Sequence, residues 1–319
     1  MRFRRRAINA QRATATNADS QHVTIERVLG LHNGCARFKD LEEEGVSRQA
    51  IRPAVNSHRI LRPHRGCYAL PDASIEVVLS TVFRAQLTCV SWAHLVGLPL
   101  ELPAPHVHLG VPASRGLGLP RQRPSNEVVL HRVGAYDADL AIGHLDVAAA
   151  CSTPIQHVAL LDAALARGFI VPSQLRQLAT GTTRRRDWVR RRVHAGAQSL
   201  GESYARVGLE EAGVRVVPQA RLAGVGAVDL LVEGRVVVEV DGHKYHSGQR
   251  QFALDRDRDR AVTLLGLTPV RFTHADAVER LDDLVKEVWA VLWRVGAGSE
   301  SLRTRMDSAA RDSQPMWWR

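Results

Sequence analysis

The sequence predicts an α/β protein, and three observations carry that expectation. Between residues 199 and 295 helix-length and strand-length segments alternate, the pattern of a sheet flanked by helices. The run RVVVEVD, ending at Asp241, has the length and β-branched content of a strand near the middle of such a sheet. Upstream, segments such as HVALLDAALARGFI carry apolar residues at helical spacing. The chain has 319 residues, enough for two domains or one large one. With 45% hydrophobic and 24% charged residues it does not read as disordered, collagenous or coiled-coil. Its apolar runs fall far short of the roughly 18 residues that a membrane-spanning helix needs, so no membrane association is expected.

The net charge is +10 and is unevenly spread. Residues 1–21 hold Arg2, Arg4, Arg5, Arg6 and Arg12 with no apolar segment behind them. They read as a basic disordered arm, not a secretory signal, and a cytoplasmic location is expected. A second run, Arg184, Arg185, Arg186, Arg190, Arg191 and Arg192, reads as a basic linker over residues 181–198. Such charge suits a polyanion, and DNA is the expected partner because each neutralised phosphate releases condensed counterions. Cys35, Cys67, Cys89 and Cys151 lie far apart with no C-x-x-C pair, so they read as reduced thiols.

Residues 22–72 contain three helical segments and a hairpin. HVTIERVLGL is amphipathic behind the capping residue Thr24, a second helix is expected over Cys35–Glu44, and Ser47 caps a third, SRQAIRPAVNSHRI. The polar face of the third shows Arg48, Gln49, Arg52 and Asn56, and Pro53 predicts a kink or early stop. ILRPHRGCYAL reads as two short strands about a turn at His64, Arg65 and Gly66. Three helices and a basic hairpin make a winged helix-turn-helix. The run Gly45, Ser47, Ile51, Arg62, Gly66, Tyr68 and Leu70 resembles the N-terminal domain of AbiEi-type antitoxins. The resemblance implies that Arg48, Gln49 and Arg52 lie in or near a major groove while Arg62 and Arg65 grip phosphate.

Residues 73–180 read as an α/β connecting region of antitoxin type. His106 and His108 alternate along a strand in a way that could bind metal, but no third ligand stands at a telling spacing, so they read as core or surface residues.

Residues 199–295 carry the sharpest chemistry. Glu202 opens a helix that stops at Gly213, Val214–Val217 form a strand, AVDLLV and RVVVEVD are two more, and LTPVRF is a later strand behind a charged helix. Loop parity decides whether Asp229 and Glu239 cooperate. A two-residue loop of Glu233 and Gly234 sends them to opposite faces. A three-residue loop of Val232, Glu233 and Gly234 makes them diagonal neighbours on one face. In the second case they can bind one Mg²⁺ or Mn²⁺ ion, with Glu202 arriving from a helix and Val240 offering its carbonyl. Asp241, His243 and His246 form a competing zinc set. The alternating charges from Asp255 to Arg260 read mostly as a solvated helix face, and residues 296–319 as a flexible tail.

Glu202, Gln219, Asp229, Glu239, Asp241, Gly242, His246, Asp255, Arg258, Gly266, Val270, Arg271 and Phe272 together resemble the PD-(D/E)XK nuclease superfamily, and within it the domains related to very-short-patch-repair endonucleases. The resemblance implies a restriction-endonuclease-like mixed sheet flanked by helices. Asp229 and Glu239 would be metal ligands, Glu202 an outer ligand or water-orienting acid, and His246 a general acid or base. The superfamily's lysine is replaced by Asp241, so either Lys244 supplies that charge or Asp241 is a third ligand. Arg185, Arg190, Lys244 and Arg258 complete the expected nucleic-acid contacts. The expected function is metal-dependent hydrolysis of DNA phosphodiesters. The alternative is a transcriptional regulator or type IV toxin–antitoxin antitoxin whose nuclease fold only binds, and a cognate toxin or repair partner would then follow.

Overall fold

The structure is a computed structural model and describes residues 24–101, 103–112, 127–134, 140–242, 249–296 and 304. The basic arm expected over 1–21, most of the tail expected over 296–319, and His243, Lys244 and His246 lie outside the described residues. The chain forms two compact units. One holds the residues up to Ser91 together with Ala104–Leu140, the other Trp92–Pro103 and the residues from Ala141 onward.

In the first unit α1 (Ile25–Leu31) starts at Thr24, whose hydroxyl accepts the Arg27 N–H. A short strand, β1 (Cys35–Arg37), precedes α2 (Phe38–Glu43). The helix expected from Cys35 therefore begins three residues later, because Cys35–Arg37 pairs antiparallel with β3 (Cys67–Ala69). α3 (Arg48–Asn56) is capped by Ser47 and buries Ile51 and Ala54. It runs through Pro53 instead of stopping there. Pro53 sits on the exposed side, and its carbonyl accepts both the N–H and the hydroxyl of Ser57, which closes the helix. β2 (Leu61–His64) turns back into β3 at Arg65 and Gly66, where Gly66 takes φ 74°. The sheet order β1-β3-β2 and the core of Val28, Leu29, Leu41, Ile51 and Ile60 complete a winged helix-turn-helix.

After α4 (Ile75–Phe83) the unit adds a second sheet of β4 (Gln86–Leu87), β5 (Val107–Pro112) and β6 (Val128–Val133), with β5 and β6 parallel. Leu79, Val82 and Phe83 of α4 pack on Val107 and Leu109. α5 (Cys89–Leu95) starts directly after β4. Of residues 73–180, the sheet belongs to the first unit, whereas α6 (Ala141–Ala148) and α7 (Pro154–Ala166) belong to the second.

The second unit continues through a 3-10 turn (Pro172–Gln177), α8 (Thr183–Arg192) and α9 (Leu200–Glu211). The basic linker expected over 181–198 is mostly this α8, started by Thr182 accepting from Arg185 N–H. A four-stranded sheet follows, from β7 (Val216–Leu222), β8 (Gly226–Val232), β9 (Val236–Asp241) and β10 (Thr268–Thr273), in the order β10-β9-β8-β7. β8 is antiparallel to both β7 and β9, while β9 and β10 run parallel across α10 (Gln249–Leu264). Leu230, Val232, Val236 and Val238 pack on Leu209 of α9 and on Leu284 and Val288 of α12 (Leu281–Arg294), which follows α11 (His274–Glu279). Val237 instead packs with Val262 of α10.

A buried ion pair ties α7 to α9. Asp162 is 0% and Arg206 1% exposed, and Arg206 Nη2 lies 2.8 Å from Asp162 Oδ2. Asp162 also accepts from the Ser203 hydroxyl and from the His194 N–H just past α8, so every lone pair that burial would orphan has a donor nearby. No helix among the described residues is long and apolar enough to cross a membrane.

Candidate nucleic-acid interface and carboxylate site

In the winged helix the buried positions Ile51 and Ala54 fix which side of α3 faces water. That side carries Arg48, Gln49, Arg52 and Asn56, all exposed, and Arg62 and Arg65 of the hairpin are exposed next to the same groove. Arg48 lies over the Phe38 ring, 4.5 Å from its centroid, which orients it without neutralising it. This face is therefore cationic, with the amides of Gln49 and Asn56 among the charges. Arg48, Arg52, Arg62 and Arg65 line one groove, and Gln49 lies exposed beside Arg48 and Arg52.

The arginines of α8 behave differently. Arg185 Nη2 donates to Ser152 O at 2.7 Å. Arg190 donates to the carbonyls of Leu175, Arg176 and Leu178 at 3.1, 3.1 and 2.8 Å and pairs with Asp187. Those carbonyls lie at the end of the 3-10 turn, where Leu175 O also accepts the Leu178 N–H, so the guanidinium acts as its cap. Arg192 pairs with Glu211 and stacks on Trp188, and burial pulls its pKa down to about 10. Arg185 and Arg190, expected to hold DNA, thus donate to backbone carbonyls inside their own unit.

The carboxylates converge at the middle of the four-stranded sheet of the second unit. Val232 pairs with Val236, which leaves Glu233, Gly234 and Arg235 as the loop, with Glu233 at φ 50° and Gly234 at φ 65°. This loop has three residues but is shifted by one from the three-residue alternative read in the sequence. Carried one step beyond Leu230–Val238, the register sets Asp229 across from Glu239, not diagonal to it. The two side chains are hydrogen-bonded to each other; burial first, then the Asp229 charge, pushes Glu239 up to about 7. Asp229 Oδ2 also accepts the Val240 N–H at 2.9 Å.

Glu202, 6% exposed in the first turn of α9, completes the cluster. Its Oε2 accepts the Gln198 N–H and the Gln219 amide, both at 3.0 Å, while burial and the Asp229 charge push its pKa above the usual carboxylate range. Gln219 was matched in the sequence without a role. Its φ of 50° bends β7 so that its amide reaches both Glu202 and Gln198. Arg258 was placed on DNA by the sequence, yet its Nη2 donates to Glu239 Oε1 at 3.0 Å, so it is the site's counter-charge. Asp241 is outside the cluster: its side chain is 59% exposed and lies 3.8 Å from Arg271. Three crowded carboxylates against Arg258 and the more distant Arg271 leave a negative excess that a proton or a cation relieves.

The first unit thus carries a helix-turn-helix with basic residues on the exposed face of α3 and on the hairpin. The family model described as "Transcriptional regulator, AbiEi antitoxin" matches residues 24–71, the segment from Thr24 to the end of the hairpin. No curated protein matches the chain.

Proposed function

We propose that the chain is a duplex-DNA-binding transcriptional regulator of the antitoxin type, docking through α3 and the β2–β3 hairpin. The observation that carries this reading is the unneutralised row Arg48, Gln49, Arg52 and Asn56 on α3, flanked by Arg62 and Arg65. A helix fits the major groove, where arginine and glutamine read guanine and adenine edges, and a wing arginine meets the adjacent phosphates. In an antitoxin the same protein pairs with a cognate toxin, which is the partner this reading implies. Fluorescence anisotropy on a pool of random duplexes tests it: the double variant Arg48→Ala/Arg52→Ala loses about tenfold or more in affinity, and unchanged binding refutes it.

A second reading rests on the carboxylate cluster: hydrolysis of DNA phosphodiesters. The donors suit a hard dication, since Asp229 and Glu239 are mutually repelling carboxylates and Val240 adds a carbonyl. These residues would hold Mg²⁺ or Mn²⁺, which when bound polarises a phosphodiester and acidifies a coordinated water. Glu202, held by Gln198 and Gln219, orients water and accepts its proton, while Arg258 steadies Glu239. The residue that replaces the nuclease lysine, Asp241, points this second reading toward binding without turnover. Plasmid nicking in Mg²⁺ or Mn²⁺, lost in Asp229→Ala and Glu239→Ala, supports hydrolysis. Tight binding without nicking in any metal leaves the regulator alone.

A further inference from the structure

The first unit contains a second cluster of metal-binding side chains that neither reading uses. It is built on the parallel pair β5 and β6, where His108 lies across from Val129 and Gly110 across from His131. Residues two apart on a strand share a face, so His108 and His131 emerge on the same side, one pair apart. Their rings stack with centroids 5.3 Å apart, and His108 Nδ1 lies 3.0 Å from His131 Nε2.

The third group arrives from the start of α5. Thr88 N–H donates to His108 O at 3.0 Å, and His108 N–H donates to Ser91 Oγ at 2.9 Å. These two bonds clamp the residues on either side of Cys89 to the backbone of His108. Cys89 itself is fully buried and has φ 55°, a left-handed conformation that a non-glycine residue adopts only at a cost. The result is that Cys89 Sγ and one ring nitrogen from each histidine lie within 4.8 Å of one another. A hydrogen-bonded histidine pair accounts for the 3.0 Å contact alone. It gives no reason for a strained backbone that delivers a thiol to both rings.

We propose that Cys89, His108 and His131 form a binding site for zinc or a similar borderline transition metal. One sulfur and two imidazole nitrogens are the donors such ions prefer over the hard cations suited to carboxylates. Two nitrogens on one tetrahedral zinc stand about 3.3 Å apart, given bonds of about 2.0–2.1 Å, so the observed spacing needs only a small adjustment. The site joins β5, β6 and the start of α5, three pieces far apart in sequence, and its binding energy adds to the stability of this unit.

The test uses the full chain purified without added chelator. Elemental analysis is expected to find about one zinc per chain, lost in Cys89→Ser and in His131→Ala and kept in Cys35→Ser, whose thiol is buried elsewhere in the same unit. Cobalt exchanged into the wild-type protein is expected to give tetrahedral visible bands and a thiolate-to-metal charge-transfer band, which decides the matter even if a variant fails to fold. The proposal is overturned by wild-type protein that carries no zinc, by a cobalt spectrum without the thiolate band, or by zinc retained in folded Cys89→Ser.

Discussion

α3 and α8 are both arginine-bearing helices, yet their charges do opposite work. On α3 the apolar side is complete with Ile51 and Ala54, and Arg52 faces water with no carboxylate against it among the described residues. On α8, Arg185, Arg190 and Arg192 are turned inward and engage carbonyls, a carboxylate or a tryptophan ring, while Arg184 and Arg191 are exposed. Charge density in a sequence therefore does not locate a polyanion surface. What matters is whether the fold supplies backbone carbonyls and acids nearby, because a guanidinium with five donors fills such positions readily.

This contrast predicts that removing an inward charge costs stability and spares DNA binding, and that removing an outward one does the reverse. The largest effect is expected at the inward extreme. Asp162→Ala leaves the buried Arg206 with Glu210 as its remaining acid, removes the acceptor of Ser203 and His194, and should cost about 3–5 kcal/mol in urea unfolding; a loss below 1 kcal/mol would place the pair's weight elsewhere. Next comes Glu239, also turned inward. Its folded pKa of about 7 lies above the ordinary value of 4.5, so its penalty is absent below about pH 4.5 and complete above about pH 7. Stability of the metal-free protein should fall on the order of 2 kcal/mol across that window. Glu239→Gln should flatten the fall, and melting curves at pH 5 and pH 8 compare the two proteins.

Smaller still, Arg190→Ala uncaps the 3-10 turn and should cost about 1–2 kcal/mol while leaving duplex affinity unchanged. A drop in affinity at equal stability would mean that α8 touches DNA after all. The smallest effect is expected at the hairpin. Arg62→Ala or Arg65→Ala should leave the melting curve in place and weaken binding evenly across duplex sequences, by about 1 kcal/mol or less.

Much of the fold was legible because local rules decide it. Thr24 and Ser47 mark helix starts, Gly66 marks the hairpin turn, and the three valines before Glu239 mark a central strand. The shared face of Asp229 and Glu239 was legible too, as one of two loop alternatives, since an odd loop of either register gives it. Three features were not. β1 is three residues long and exists only because β3 lies beside it. The capping role of Arg190 depends on carbonyls 12 to 15 residues earlier. The Cys89, His108 and His131 group has no sequence spacing to detect, because its members are brought together by parallel pairing and by a left-handed turn. The strand pattern pairs His108 with His106, whereas the ring it meets, His131, stands 23 residues downstream across the sheet.

The most direct test of the contrast is the salt dependence of duplex affinity, measured side by side for the wild type, Arg48→Ala/Arg52→Ala and Arg185→Ala/Arg190→Ala. The slope of log affinity against log salt should become shallower by up to about two units for the α3 variant and stay at the wild-type value for the α8 variant. A shallower slope for the α8 variant with none for the α3 variant would contradict the account.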